Sequence, residues 1–514
     1  MYCCDFTLYD MIARNAGSYP EKIAIVYGDN RISFSAYQEL CDQCAAGLIK
    51  EGIDVGDRIA VLSSNNDDFL ILCGAAAKIG AIVVPVNYRL GEGEVEYILK
   101  DSEPKYIFSS KEYKDLGRKA SLAVGSIKKH YVFKADKNDG DFIPFSTLLL
   151  DVKVTESGLV SGNDAYMIIH TAAVGGKPRG CVLSQANMLA AGLQMAHIFK
   201  LMSSDCHIGT LPLFHIGGFS FSIAVMHQGG KNVITDRFDP LLVLKLTDKE
   251  QGTFFGIFPP MLAAILDAQD KQSVDTSSLR AVTGMDSPEM IQCFLKKNPQ
   301  ATFYSLYGQT EVMPVSGCDI TEKSGSIGLP AIMTRVAIFD GLDREVPVGG
   351  QGEICVRSPS VFLGYWKLEA DTAYTFRNGW HHTGDRGRMD EEGYLYYGGR
   401  NPEKELIKPG GENVYPAEVE KIILSHGCVE EVAVIGVPDS EWGEAVQAVC
   451  VLKKGNEVGE AELIEFVASK IARYKKPKHV LFVENLPKTA SGEINREEVK
   501  KTYSEKKSTE EWSN

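Results

Sequence analysis

Short apolar runs that alternate with helix-like segments are the feature that most limits how this chain can fold. The apolar run at residues 58–63 precedes a helix-like stretch at residues 67–79, and a second run follows at residues 81–85. Further apolar runs stand at residues 106–109 and 166–170, each bounded by polar or turn-forming residues. Strands that alternate with helices form parallel sheets covered by helices. The sequence therefore predicts an α/β fold.

Length and two changes of texture predict the domains. A chain of 514 residues is too long for one ordinary core, so about two to four domains are expected. From about residue 336 to residue 399, short apolar runs joined by Gly, Asp and Pro turns predict a small β-rich subdomain. We therefore predict a large N-terminal domain at residues 1–399, with two βα-layered subdomains and the β-rich one. A hinge at residues 400–404 and a small α+β domain at residues 405–514 would follow.

The composition disfavours several functional classes. The net charge of −14 is unfavourable for nonspecific binding to nucleic acid or to anionic lipid. The sequence contains no apolar run of the ~20 residues that a membrane-spanning helix needs, and its first residues do not resemble a secretory signal. We therefore expect a cytoplasmic protein with no nucleic-acid partner and no integral membrane segment.

Two of the twelve cysteines, Cys41 and Cys44, form a C-x-x-C pattern. A redox or zinc role would fit the spacing, but the sequence has no second pair at metal-ligand spacing. The small residues around them are typical of a helix face. We interpret both as small buried hydrophobic residues.

A glycine-rich loop follows the apolar run at residues 166–170. Residues 170–180 read HTAAVGGKPRG. Such a loop presents several backbone N–H groups to phosphate, and Lys177 or Arg179 adds positive charge. The pattern differs from the phosphate loop of nucleoside triphosphatases. It indicates a phosphate site, with an ordinary glycine-rich turn as the alternative.

Residues 304–311, YSLYGQTE, combine three groups that suit a nucleotide. The ring of Tyr307 can stack on a base. The hydroxyl of Thr310 can bind a phosphate oxygen, and the carboxylate of Glu311 can hold Mg²⁺. A polar loop after a strand is the alternative reading.

A third pair of motifs carries groups that suit a ribose. Asp385 ends the segment GWHHTGD, and Arg400 ends the segment GYLYYGGR. His381 and His382 stand side by side in the first segment. Because neighbouring residues on a strand point to opposite faces, we do not expect them to share a metal.

Together these motifs resemble the adenylate-forming superfamily of acyl-CoA synthetases, luciferases and peptide-synthetase adenylation domains. The resemblance extends from about Phe6 to Arg496 and is closest to fatty-acid-type acyl-CoA ligases. The motifs that carry it are Tyr307-Gly308-x-Thr310-Glu311, Thr383-Gly384-Asp385, Gly399-Arg400 and residues 486–492, LPKTASG. The resemblance implies an enzyme that uses ATP and Mg²⁺ to turn a small carboxylic acid into an acyl-adenylate and then transfers the acyl group to coenzyme A. It implies no redox cofactor, and a mobile C-terminal domain; a homodimer is a general expectation for such a chain.

The resemblance also assigns roles to residues at the matching positions. The nucleotide-binding positions are Thr171, Gly176, Arg179, Gly180, Gly284, Met285, Asp286, Ser305, Tyr307, Gly308, Gln309, Asp385 and Arg400. The catalytic positions are Thr310, Glu311, His215 and Lys408, and the Mg²⁺ positions are Thr171 and Glu311. The loop that moves in for thioester formation matches Lys408, Gly410, Gly411 and Glu412, and the hinge matches Lys404.

The acyl pocket is expected to be apolar. Its candidate residues are Phe214, Phe219, Met261 and Met313. The sequence places no obvious cation there for a second carboxylate, which favours a medium-chain, branched or aromatic acid. Apolar residues at these positions are also what any protein core would show.

The chain departs from the family pattern at two places. Ala172, Ala173 and Val174 replace hydroxyl or glycine positions of the phosphate loop, so side-chain donors to pyrophosphate are lost. Glu493 stands where the family has the lysine that serves adenylation. Another cation such as Lys488 could take over, or the enzyme could favour the thioester half-reaction. Two alternatives stay open: a pseudoenzyme that binds nucleotide or acyl-CoA, and an adenylation enzyme with an acceptor other than coenzyme A.

We predict that Glu493→Lys changes the rate of acid-dependent pyrophosphate exchange. A carboxylate near a triphosphate repels it, and such repulsion costs on the order of kcal/mol at close range in a low dielectric. An exchange rate equal to that of the unaltered protein would mean that another residue already does the work of the missing lysine.

Overall fold

The computed structural model describes residues 5–151, 160–171, 177–400, 406–488 and 494–504. Its α-helices are α1 Leu8–Ser18, α2 Phe34–Lys50, α3 Asp67–Ile79, α4 Glu92–Ser102, α5 Lys114–Ser121, α6 Gln185–Ile198, α7 Ile216–His227, α8 Pro240–Glu250, α9 Met261–Lys271, α10 Pro288–Lys297, α11 Glu369–Thr375, α12 Pro416–Leu424, α13 Glu460–Ala468 and α14 Arg496–Tyr503. Short 3₁₀-helices occupy Phe145–Leu148, Arg377–Gly379, Pro409–Gly411 and Arg473–Lys475.

The strands complete the set of elements. They are β1 Ile23–Tyr27, β2 Asn30–Ser33, β3 Arg58–Leu62, β4 Ile82–Val86, β5 Tyr106–Ser109, β6 Lys129–Val132, β7 Phe142–Pro144, β8 Ala165–Thr171, β9 Arg179–Ser184, β10 Cys206–Gly209, β11 Lys231–Ile234, β12 Phe254–Ile257, β13 Ala281–Gly284, β14 Thr302–Gln309, β15 Val312–Asp319, β16 Leu329–Pro330, β17 Arg335–Phe339, β18 Gly352–Arg357, β19 Gly364–Tyr365, β20 His381–Met389, β21 Leu395–Arg400, β22 Val429–Asp439, β23 Gly443–Leu452 and β24 His479–Phe482.

Two large sheets, parallel in their centres, form most of the N-terminal part. One has the order β16-β15-β14-β13-β12-β10-β11-β1-β2, and the other has the order β19-β9-β8-β4-β3-β5-β6-β7. Antiparallel pairs occur towards their edges, as in β14–β15 and β8–β9. One apolar core contains buried residues of β1, β3 and β8 together with α1, α2, α3, α6 and α7, so both sheets share it. These sheets correspond to the two predicted βα-layered subdomains.

Helix α3 shows how the sequence fixes one such unit. The side chain of Asn66 accepts the N–H of Phe69 at 3.0 Å, which caps the first turn. Asp67 and Asp68 in that turn complement the positive end of the helix. Gly80 ends the helix at a φ of 72°, a conformation that glycine adopts without steric cost. The helix therefore joins β3 to β4, which pair in parallel.

A smaller antiparallel sheet, β17-β18-β20-β21, lies against these layers. Its strands form a small β-rich subdomain, and the bounds predicted for it, residues 336–399, stay a prediction. Within it, Asp385 of β20 pairs directly with Arg400 of β21. The fold thus brings two of the predicted site residues together through strand register alone.

The C-terminal part has its own sheet and core. Strands β22, β23 and β24 form a sheet in that order, and α12 and α13 pack against it through buried residues such as Val419 and Leu463. Ile407 and Val414 exchange two backbone hydrogen bonds of 2.8 Å, which closes the loop between them at its base. That loop contains residues 408–413. The boundaries predicted for the domains and the hinge stay predictions, and Lys404 lies outside the described residues.

Two further features bear on the sequence predictions. Cys41 and Cys44 are buried free thiols in α2, in keeping with the predicted helix face. Among the described residues, no helix is both long and apolar enough to cross a membrane.

Buried His207 gives the stability of the fold a pH dependence, and we predict that His207→Gln reduces it. Burial lowers the pKa of His207 to about 4, whereas an unfolded histidine titrates near ~6.5. The unfolded chain therefore binds a proton that the native chain excludes, and the free energy of unfolding falls as pH drops through this window. The loss is on the order of 3 kcal/mol for this residue.

Urea unfolding at about pH 7 and about pH 4.5 measures the effect. Glutamine keeps a side-chain donor for Asn232, whose Oδ1 lies 2.9 Å from the His207 ring. His197→Gln, at an exposed position, is the matched control and should keep the pH dependence of the unaltered protein. Equal pH dependence in the two variants would contradict the assignment to His207.

Candidate active site

A cavity of about 290 Å³ lies between the first large sheet, the β-rich sheet and the loop at residues 408–413. Asp385, 2% exposed, sits in its wall. Tyr307 Oη donates to Asp385 Oδ2 at 2.7 Å, and Gln309 Nε2 donates to the same oxygen at 2.6 Å. Arg400 Nε lies 2.8 Å from Asp385 Oδ1. A buried carboxylate is thus neutralised and hydrogen-bonded, as it must be to remain charged away from water.

Neighbouring groups determine the protonation states of Tyr307 and Arg400 beside this carboxylate. Burial raises the pKa of the Tyr307 phenol, and the Asp385 charge raises it further, so the hydroxyl remains a donor. Burial alone would lower the pKa of Arg400, but Asp385 together with nearby tyrosines more than offsets this, and the net shift is upward. The site therefore presents a fixed carboxylate and a fixed guanidinium side by side.

Two glycines lie in the cavity wall, and the backbone of the first allows no other residue there. Gly284 has a φ of 150°, and a Cβ there would lie 2.0 Å from the Ile257 carbonyl oxygen. A Cβ at Gly308 would lie 2.7 Å from Met313 Sδ. Both positions bring backbone close to the space in which a flat group such as a base can lie.

The loop at residues 408–413 closes the cavity from the C-terminal side. Lys408 N–H donates to Glu444 Oε2 at 2.7 Å. Gly410 and Gly411 have φ values of 57° and 84°, and a Cβ on Gly411 would lie 2.9 Å from the Phe258 ring. Glycine at these positions therefore lets the loop turn sharply and rest on the N-terminal part.

His215 faces this loop across the cavity. Its Nδ1 accepts the Gly217 N–H at 3.2 Å, which caps the start of α7 and leaves the ring proton on Nε2. Burial lowers the pKa of His215, so the ring is neutral near pH 7. Burial also lowers the pKa of Lys408, and nearby Arg400 adds to the shift.

A second, larger cavity of about 760 Å³ adjoins the first, between the N-terminal and C-terminal parts. Its wall includes aromatic side chains, of which Trp442 and Tyr474 belong to the C-terminal part. Arginine and lysine side chains also line it, together with several carboxylates. The cationic residues are Arg89, Arg237, Arg473, Lys476 and Lys478, and the acidic ones are Asp236, Glu412, Glu441 and Glu444. The two cavities share His215 and Gly411 in their walls, so they meet at the tip of the loop.

The sequence of the chain matches known proteins along nearly its whole length. Residues 12–366 match the model of the AMP-binding enzyme family, and residues 418–493 match the model of the AMP-binding enzyme C-terminal domain. The chain belongs to the AMP-binding enzyme family.

Relatives of this AMP-binding enzyme are similar over more than nine-tenths of its length. A feruloyl-CoA synthase of an Amycolatopsis species is 32% identical over 95% of this chain and 98% of that protein. An indoleacetate–CoA ligase of Aromatoleum aromaticum is 31% identical over 97% and 98%. A long-chain-fatty-acid–CoA ligase of Mycobacterium tuberculosis is 32% identical over 93% and 94%.

Solved structures show the same fold. The o-succinylbenzoate CoA synthetase of Bacillus subtilis has a TM-score of 0.84 at 26% identity, over 95% of this chain and 97% of that one. A fatty acyl CoA synthetase of Mycobacterium tuberculosis has a TM-score of 0.72 at 30% identity, over 97% and 98%. The predicted family, the α/β fold with a small C-terminal domain, and the enzyme class of AMP-forming acid–thiol ligases are confirmed.

The cavities bring most of the predicted site residues of this AMP-binding enzyme together. The residues that line the smaller cavity are Thr171, Arg179, His215, Gly284, Met285, Ser305, Tyr307, Gly308, Gln309, Thr310, Glu311, Met313, Asp385, Arg400, Lys408 and Gly411. The larger cavity is lined by Phe214, Met261, Gly410 and Glu412. Gly176 and Glu493 lie outside the described residues. The roles assigned to all these residues stay predictions.

Three predicted residues do not line either cavity. A Cβ on Gly180 would lie 2.7 Å from Ile168 Cγ2 and 3.1 Å from Trp366 Cβ, and Asp286 Oδ1 accepts the Ser287 N–H at 2.8 Å just before α10. Phe219 is 1% exposed and lies in the core shared by the two sheets. Because residues two apart on a helix differ by about 200°, Phe221 faces the cavity instead. The sequence has no signal that shows which face of α7 meets the cavity.

The adjacent histidines have different partners, and His381 Nδ1 lies 3.4 Å from Thr375 Oγ1. His382 Nδ1 lies 2.9 Å from Glu353 Oε2 and 3.3 Å from Cys355 Sγ. Among the described residues, these three form a group with metal-ligand atoms within 4.8 Å of one another. Arg377 Nη2, however, already lies 3.1 Å from the same Glu353 oxygen. Arg377 therefore already neutralises the Glu353 carboxylate, and the group forms an ion-pair network between strands β18 and β20.

Ion pairs hold the C-terminal part in this arrangement, and sequence reasoning did not find them. Glu412 of the loop pairs with Arg89, and Asn87 Nδ2 donates to it at 3.3 Å. Lys475, whose side chain is 4% exposed, lies 2.5 Å from Glu94 of the N-terminal part and 2.7 Å from Glu418. These contacts place the loop tip at His215.

We predict that Arg89→Glu slows thioester formation from supplied acyl-adenylate by on the order of tenfold, because two carboxylates then face each other at the loop. The double variant Arg89→Glu/Glu412→Arg restores the opposite charges and should recover most of the rate. Rapid-quench measurement of the thioester gives both values.

Arg118→Glu is the matched control for this prediction. Arg118 pairs with Asp141 at 2.8 Å on the exposed surface, where such pairs contribute little. Its thioester rate should equal that of the unaltered protein. A charge-swapped double variant as slow as the single one would contradict a role for this pair in placing the loop.

Proposed function

We propose that this AMP-forming ligase joins an uncharged, mostly apolar carboxylic acid to coenzyme A through an acyl-adenylate held in the smaller cavity. The observation that carries the proposal is the meeting of the two cavities at His215 and Gly411. One cavity suits a nucleotide and an acyl group, and the other suits a long anionic thiol. Their junction is where an acyl carbon and a thiol can react.

The first half-reaction joins the acid carboxylate to the α-phosphorus of ATP and releases pyrophosphate. The Tyr307 ring lies against the adenine, Asp385 accepts from the ribose hydroxyls, and Thr310 donates to the α-phosphate. Glu311 and Thr171 offer hard oxygen donors of the kind that Mg²⁺ prefers, so they fit the metal that the family implies. When bound, Mg²⁺ neutralises phosphate charge as it develops.

In the second half-reaction, the sulfur of coenzyme A forms a bond to the acyl carbon. The bond from that carbon to the phosphate oxygen breaks, AMP leaves with its electron pair, and the thiol proton is released. Neutral His215, with its proton on Nε2, donates a hydrogen bond to the acyl oxygen and keeps the carbonyl oriented. Arg237, Arg473, Lys476 and Lys478 line the larger cavity and attract the phosphates of coenzyme A.

The acid is proposed to be apolar beyond its carboxylate. The acyl side of the smaller cavity is walled by Leu211, Phe221, Ile257, Phe258 and Met313. The charged residues in the same wall are those that face the nucleotide or belong to the loop. A second carboxylate on the acid would therefore lack a cation among the described residues.

The proposal includes rotation of the C-terminal domain between the half-reactions. The loop at residues 408–413 occupies the side of the cavity that the thiol must reach, and adenylation requires groups on the triphosphate instead. The predicted hinge at residues 400–404 would supply the movement. A cytoplasmic location and a homodimer stay predictions.

Incubation with ATP, Mg²⁺ and coenzyme A and a panel of acids tests the proposal. AMP and thioester should form in equal amounts with aromatic, branched or medium-chain monocarboxylic acids, and not with their dicarboxylic counterparts. AMP or acyl-adenylate without thioester would favour a different acceptor. Tight nucleotide binding without turnover across short, long and aromatic acids would overturn the proposal in favour of a pseudoenzyme.

A further inference from the structure

Tyr365 lies beside the smaller cavity but belongs to none of the sequence motifs. It is 7% exposed and forms the short strand β19 with Gly364, opposite Cys181 of β9. Its backbone N–H donates to Thr372 Oγ1 at 2.9 Å. The position of the ring is therefore fixed by the strand and by the start of α11.

The hydroxyl of Tyr365 connects two predicted phosphate-site residues. It donates to Glu311 Oε1 at 2.9 Å, and Arg179 Nη2 donates to it at 3.3 Å. The Arg179 guanidinium also lies 4.0 Å from the centre of the Tyr365 ring, in the geometry of a cation–π contact. Burial raises the pKa of Tyr365, and the Glu311 charge raises it further, so the hydroxyl stays a donor.

The segment around Tyr365 also holds the backbone of Glu311. Phe362 N–H donates to the Glu311 carbonyl oxygen at 2.8 Å. The ring of Phe362 packs edge-on against Tyr365 at 4.8 Å between centroids. Residues 362–365 thus fix Glu311 at both its main chain and its carboxylate.

We propose that Tyr365 is a positioning residue, which orients the Glu311 carboxylate for metal-bound ATP and links it to Arg179 at the end of the phosphate loop. The inference rests on the proposed role of Glu311 as a Mg²⁺ ligand. A free glutamate side chain must lose rotational freedom when it binds a metal. A hydrogen bond from a fixed phenol removes that cost beforehand, and outer partners of metal ligands typically change metal affinity by about 10–100-fold.

Tyr365→Phe tests the proposal, because it removes the hydroxyl and leaves the ring. Binding of Mn²⁺ in the presence of a non-hydrolysable ATP analogue is measured by electron paramagnetic resonance, and binding of AMP without metal is measured by calorimetry. The Mn²⁺ dissociation constant should rise about tenfold, while the AMP dissociation constant should not change. Thioester formation from supplied acyl-adenylate should also be unaffected.

Tyr37→Phe is the matched control. Tyr37 is 3% exposed, and its hydroxyl donates to the Leu70 carbonyl at 2.9 Å in the core, so the variant loses the same kind of bond elsewhere. Its Mn²⁺ binding should equal that of the unaltered protein. Equal Mn²⁺ binding in Tyr365→Phe and Tyr37→Phe would overturn the proposal.

Variants of Glu311 separate this inference from the proposed function. If Glu311→Gln leaves Mn²⁺ binding unchanged, the metal assignment itself is wrong; if it weakens binding while Tyr365→Phe does not, only the role of Tyr365 is wrong. In Glu311→Gln, adding Tyr365→Phe should cause no further loss, because the phenol acts through the carboxylate. Should Tyr365→Phe not fold, Glu311→Asp keeps the charge but draws it away from the phenol, and it should weaken Mn²⁺ binding by a similar factor.

Discussion

The buried carboxylate of Asp385 is the constraint on which the rest of the site depends. A carboxylate that is 2% exposed is stable in its charged form only with close partners. Tyr307 and Gln309 supply hydrogen bonds from β14, and Arg400 supplies the charge from β21. The need of Asp385 for these partners therefore joins the first large sheet to the β-rich sheet. Together the two sheets form the wall on which a nucleotide can lie.

The second constraint is the neutralisation of charges across the interface with the C-terminal part. Lys475 is nearly buried between Glu94 and Glu418, and Arg89 meets Glu412 on the loop itself. Burial penalises Lys475 as a cation, but the two carboxylates raise its pKa overall, so the charge persists. Because removal of one partner from such a group is costly, these pairs define a specific closed arrangement rather than a loose contact.

Local pattern predicted the regular elements well and predicted long-range contacts poorly. The helix expected at residues 67–79 and the strand expected at residues 106–109 have those bounds, because caps and buried apolar runs are encoded locally. Helix α13 ends at Ala468. The chain there turns into the short helix that carries Lys475, whose partner Glu94 is 381 residues away. No local sequence pattern predicts that contact.

The same distinction separates the site residues. The motifs predicted the convergence of residues from β14, β20 and β21, because each motif combines groups that a nucleotide needs. The sequence did not identify Phe221, because nothing about an apolar residue near His215 shows which face of the helix meets the cavity. The sequence did not identify Tyr365 either, because its partner Glu311 is 54 residues away and no spacing rule connects the two.

A crystal structure of the protein with a non-hydrolysable acyl-adenylate analogue and coenzyme A tests the account most directly. The account predicts the adenine against Tyr307, the ribose hydroxyls on Asp385, and the thiol between His215 and Gly411. A nucleotide bound away from these side chains, or a thiol that reaches the acyl group without passing Gly411, would contradict it.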